Sequence, residues 1–319
     1  NNLAGKIAVY GSADDPAIWQ MDVAIVLKKP RPLTVSADIS GSGSVMMRYN
    51  PTVDKDHKAT APYFGNIFVT GDNRSFSGEW LLAHWNTPGI FEDANAIGGA
   101  TAVHFMSNGV LWAQNTYTIP SRAFFKVDAS GSDESDLDHT NGGTARVDAG
   151  KTLTVESEVI GNGIFRKTGT GTLRLTANRN SVAKIEVREG LMSVSGAVTN
   201  EASQVKVLSG AALGGAGKFR RIALESGAAL DLSLTQENLM EIGSLTLDGN
   251  WVLQVRDVTG TDAVPGKIAV AKVGNMEAAL GAKTKVALMS GGQKIGSFRC
   301  ELKDGILSLE KIGLCVIVR

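Results

Sequence analysis

The segment GEWLLAHW (78–85) holds residue types that carbohydrate recognition or acid–base chemistry would draw on, two indoles and an imidazole close together. Strand-like alternation puts Trp80, Leu82 and His84 on one face and Leu81, Ala83 and Trp85 on the other. An indole on the outer face of a strand is a platform for a sugar ring, which makes Trp80, Trp85 and His84 the candidate ligand-binding residues. Buried instead, the same aromatics would fill a wide core, where each is worth several kcal/mol of packing. Both readings concentrate on the first part of the chain. Four of five tryptophans, all four tyrosines and seven of ten phenylalanines lie before residue 126, and all four histidines before residue 140.

Acidic residues are the other source of chemistry. Asp133, Glu134, Asp136 and Asp138, beside His139, are the densest acidic patch. They lack the glycine and spacing of a D-x-D-x-D-G calcium loop and read as a solvated loop. A glycosidase needs two carboxylates facing across a groove, and a lyase needs a base beside a neutralised carboxylate. Asp54, Asp56 and His57, or His84 and His104, could contribute to such a site, yet none stands in a distinctive motif. The G-x-S-x-G, P-loop, H-E-x-x-H and C-x-x-C patterns do not occur. The sequence assigns no catalytic residue, no metal ligand and no cofactor, and a non-catalytic role is the expectation. Cys300 and Cys315 either form a disulfide or stay separate buried thiols. With no histidine beyond His139, they do not make a zinc site.

The positioning elements are legible from composition and period. Lysine plus arginine and aspartate plus glutamate number 32 each, so no basic excess points to nucleic acid. Small cationic clusters at Lys28, Lys29 and Arg31, and at Lys218, Arg220 and Arg221, read as solvated strand or turn positions. The longest apolar runs, such as 23–27, are strand-sized, so no membrane span is expected. Thirty-seven glycines against eight prolines suit many tight turns between short strands. After residue 140, alternating strands end repeatedly at turn glycines 150, 190, 210 and 227, spaced by about 17 to 40 residues. No stretch carries a convincing helical period. Residues 235–242 and 276–280 come nearest, and suit at most a short turn.

Residues 158–190, EVIGNGIFRKTGTGTLRLTANRNSVAKIEVREG, run through G-x-G, an apolar strand, K-x-G-x-G-T-L, a second strand, a polar turn and a third strand. This order resembles the passenger-associated transport repeat of autotransporter-like secreted proteins. Residues 37–50 and 66–85 resemble a second copy, with Gly71, Asn73, Phe76 and Gly78 at the positions of the family's G-x-N-x-Y-x-G. That copy departs from the pattern at Met46, Met47 and Arg48, where K-x-G is expected. The later copy has ANRN in place of G-x-N.

The resemblance implies an all-β fold, a right-handed parallel β-helix (solenoid) with irregular capping strands at its ends, carried outside the cytoplasm. It implies no chemistry. Residues 1–242 are expected to form the β-helix, with a loop inserted near 51–65 and the run 23–27 as a buried rung. Residues 243–319 are expected to form terminal β coils or a sandwich-like cap. Stacked coils would make a rod on the order of 60 Å long. The expected role is a structural passenger presenting loops at a bacterial cell surface, secreted or surface-bound. The alternatives are a glycan-binding module built on the aromatic-rich N-terminal half, or a β-helix polysaccharide lyase or glycosidase. The partners these readings allow are an extracellular glycan or a surface protein.

Overall fold

The computed structural model describes residues 2–10, 17–21, 32–49, 65–83, 87–129, 142–198, 203–233, 239–248, 252–256, 267–276, 285–290 and 293–311. The described residues are all-β apart from one four-residue helical turn. Most strands are short, alternate inward and outward residues, and pair in parallel with a strand one rung further along the chain.

Three parallel ladders result. The first joins Leu33–Val35, Ile67–Val69, Gly89–Phe91, Val110–Ala113 and Gly142–Val147, and continues through the second halves of Val159–Thr168 and Arg179–Val187. The second joins Tyr117–Ile119, Thr152–Val155, Thr172–Leu175, Leu191–Val194, Ala212–Gly214, Ala229–Ser233, Val252–Arg256 and Lys285–Ser290. The third joins Ala17–Met21, Val45–Tyr49, Glu79–Leu82, Ala102–Phe105 and Phe124–Val127, then the first half of Val159–Thr168. From residue 110 to residue 194 the chain visits the ladders in the fixed order first, second, third. Hydrogen bonds between side chains and the neighbouring rung therefore connect residues about 20 to 36 positions apart, as Ser195–Leu175 and Thr152–Thr116 do.

The core lies between the ladders and is continuous. Phe165, Ile185, Val205, Ile222 and Leu245 occupy one register position on successive rungs, each at most 1% exposed. Leu153, Leu173, Met192 and Leu213 do the same on the second ladder. Like residues stack on like because parallel in-register pairing repeats the same inward slot on every rung.

Parallel pairing continues past residue 243, to Lys267–Met276 and Lys285–Ser290. Direction then reverses: Gln293–Lys303 and Ile306–Lys311 pair antiparallel with each other and with those two strands. One helical turn, Ala94–Ile97, was not expected. Asp93 caps it, its Oδ1 accepting the N–H groups of Asn95 (2.8 Å) and Ala96 (3.0 Å). A single capped turn is too short to leave a 3.6-residue period in the sequence. Of the other helix candidates, Met240 to Ile242 and Met276 lie in strands. The expected inserted loop, the run 23–27, the cluster at Lys28 to Arg31 and the acidic patch 133–139 lie outside the described residues.

Candidate functional site

The repeat residues occupy comparable places in the two copies. Gly41 and Gly161, each the first glycine of a G-x-G, both have left-handed backbones, with φ of 96° and 123°. A Cβ at either would lie 2.2 or 2.1 Å from a carbonyl oxygen of the preceding rung, Val9 or Val127. Glycine is needed there twice over, for its dihedral and for its lack of a side chain. The turn glycines 150, 190, 210 and 227 all have φ between 65° and 82°.

Asn73 and Asn180 are fully buried, and each accepts a backbone N–H from an earlier rung, Ile39 at 2.7 Å and Val159 at 3.1 Å. Asn73 also donates its amide to Ala96 O at 2.6 Å. Lys167, the lysine of K-x-G, points into an otherwise apolar register row between Ala145 and Val187. Its ammonium bends back to the corner, where the carbonyls of Thr168, Gly169 and Glu189 accept at 2.9, 2.6 and 3.1 Å. Three donors meet three acceptors. Burial lowers this ammonium to about 8, with Glu189 opposing the shift.

Among the described residues, a group of titratable side chains gathers around His104 on the outer face of the third ladder. His104 stands in register with Leu81 before it and Lys126 after it. Its Nε2 lies 2.7 Å from Asp128 Oδ2, and its Nδ1 lies 3.5 Å from Glu79 Oε2. The other Glu79 oxygen accepts from Lys126 Nζ at 2.5 Å. Three rungs are thus tied by one imidazole. The His104 contact, then Lys126, hold the Glu79 carboxyl down to about 2 against its burial. Burial disfavours the charged ring of His104, but Glu79 and Asp128 outweigh it and raise its titration above the usual value.

Both ring nitrogens are engaged, and Glu79 is a fixed anion. Among the described residues, every carboxyl displaced from its ordinary value is displaced downward, whereas a glycosidase acid must be displaced upward. A second cluster follows the same logic. Burial pushes the Glu186 carboxyl upward, but Lys184 and Arg188, each at 2.9 Å, more than reverse this. Among the described residues no three His, Cys, Asp or Glu side chains converge as metal ligands would.

Trp80 takes the inner face. It is 1% exposed, stacks against Phe76 (4.9 Å) and Phe91 (5.1 Å), and donates its Nε1–H to Ile97 O at 2.9 Å. An indole so enclosed offers no face to a sugar ring, which corrects its assignment as a ligand platform. Leu82 lies on the same inner face, as the alternation required. His84, Trp85, Asp54, Asp56, His57 and Cys315 lie outside the described residues. Cys300 sits in the strand Gln293–Lys303, opposite Leu309.

Among the described residues, Trp112 is a tryptophan that faces outward. The Arg146 guanidinium lies 4.0 Å over its ring, and its Nε1–H donates to Asp148 Oδ1 at 2.7 Å. Sequence reasoning named His104 but missed Glu79, Lys126 and Asp128. The available signal was their recurrence at roughly one-rung intervals. No protein-family model, no curated protein and no solved structure matches the chain.

Proposed function

We propose that the chain is an extracellular structural module, a right-handed parallel β-helix of the autotransporter-passenger type. It would hold itself extended at a bacterial cell surface and present its corner loops there. One observation carries this reading: the repeat residues devote their chemistry to neighbouring rungs. Gly41 and Gly161 make room for a carbonyl of the rung before, Asn73 and Asn180 accept its N–H groups, and Lys167 gathers corner carbonyls from its own rung and the next. The His104 cluster also pairs across rungs, and Glu186 is held by Lys184 and Arg188 of its own rung and by Arg166 of the rung before, at 3.6 Å. A side-chain set consumed by stacking supports a mechanical role over a catalytic one.

Two measurements test it. Small-angle scattering of the purified chain should give a rod on the order of 60 Å long, and a compact globule would overturn the solenoid. Protease shaving of intact source cells should release the chain, and full protection with an intact envelope would remove the surface assignment.

A further inference from the structure

The third ladder continues through the first half of Arg179–Val187, Ala197–Val198 and the first halves of Lys218–Leu224 and Met240–Leu247. A groove of about 660 Å³ runs along it where these late rungs bend toward the first ladder. Its floor is the in-register row Val198, Phe219, Ile242 and Val273. Two glycines let its rungs approach closely. A Cβ on Gly243 would lie 2.6 Å from Arg220 O, and one on Gly274 would lie 2.9 Å from Gly243 O. Consecutive rungs thus present bare backbone at the bend.

The rim is charged and unbalanced. Lys218, Glu241 and Lys272 share one register position on three successive rungs. The single carboxylate sits between two ammonium groups, 3.0 Å from Lys218 and 3.7 Å from Lys272. Both lysines remain well exposed, at 67% and 59% of their side chains. Arg220 adds a third cation, exposed, and among the described residues no carboxylate pairs with it. The cluster that the sequence suggests is merely solvated is therefore set along a concave, apolar-floored channel. Cations gathered in a cleft concentrate anions there.

We propose that this groove binds a stretch of anionic polysaccharide, carboxylated or sulfated, lying across the rungs. The strands of the groove already pair on both sides, and Val273 N–H is taken by Gly305 O at 2.7 Å. An acidic peptide therefore finds no strand edge to extend. The aromatic in the floor, Phe219, is 4% exposed and offers no stacking platform for nucleobases. A polymer of sugar rings needs neither, and its anions suit the exposed Lys218, Arg220 and Lys272. This site is independent of the mechanical role above, since the rod forms whether or not the groove is filled.

The test is calorimetric titration of the whole chain with polygalacturonate fragments and heparin fragments, which separate carboxylate from sulfate preference, and with dextran as the neutral polymer. Binding of either polyanion, weakened by added salt, is expected. Arg220→Glu and Lys272→Glu should each weaken it about tenfold, Glu241→Gln should tighten it, and Lys151→Glu on another face should leave it unchanged. Equal binding of dextran, tighter binding of single-stranded DNA, unchanged affinity in Arg220→Glu and Lys272→Glu, or an equal loss in Lys151→Glu would overturn the proposal. Should a variant fail to fold, the unaltered chain still decides. Bound polyanion should protect Lys218 and Lys272 from acetylation while Lys151 keeps its reactivity, and uniform reactivity would overturn the site.

Discussion

His104 is gripped by acids from the rungs on either side, so its charge is part of what holds those rungs together. Its folded titration lies above the ordinary 6.5. The stability it contributes is fully present below 6.5 and is lost as pH rises through the folded value. Glu79 runs the other way. Its contribution is present above 4.5 and is lost as pH falls toward about 2. Thermal melts across pH should therefore decline on both sides of the interval from 4.5 to 6.5. The alkaline decline should flatten in His104→Gln, and an unchanged slope would rule the linkage out. Glycines separate in the same way. Gly150→Ala meets only the dihedral cost, about 1–2 kcal/mol, because a Cβ there touches nothing. Gly161→Ala adds a carbonyl clash and should cost about 3 kcal/mol or more by urea unfolding. Asn73→Leu strands the Ile39 N–H and the Ala96 carbonyl and should cost about 2–4 kcal/mol. The glycine turns were legible because φ is a local property. The partners of His104 were not, because the chain length between rungs decides which residues meet.

At the scale of elements, the last two described strands differ in direction from the other described strands of their sheet. Gln293–Lys303 and Ile306–Lys311 cover the open edges of Lys285–Ser290 and Lys267–Met276. An uncovered parallel edge is a template for another chain. A chain ending at Ser290 should therefore self-associate, which light scattering on a sizing column would reveal. A well-behaved monomer would show that the antiparallel strands have no protective role. The sequence indicated extra strands here but not their direction, since alternation reads the same either way. Trp80 marks a related limit. Alternation correctly grouped it with Leu82, but period 2 does not say which face is inside. The helical turn at Ala94–Ile97 escaped notice because its only signal is the cap residue Asp93.

Across the whole molecule, the three ladders share one core without a break, and rungs in the middle have neighbours on both sides. Hydrogen exchange should be slowest at the amides of Thr152–Val155, Thr172–Leu175 and Leu191–Val194 and fastest toward the described ends. Uniform protection would mean a single cooperative unit instead. The late, regular rungs were legible because each repeats the same glycine-and-leucine grammar. The earlier ones were less so, because a helical turn stands between Gly89–Phe91 and Ala102–Phe105, where later rungs have a strand. The in-register match of Thr172 with Leu191 and of Leu173 with Met192 has a hereditary consequence. An in-frame duplication of residues 172–190 would lay down one more layer whose faces already fit the layers above and below. A gene for such a chain can change the reach of its product by copying itself in place, with no new surface to invent.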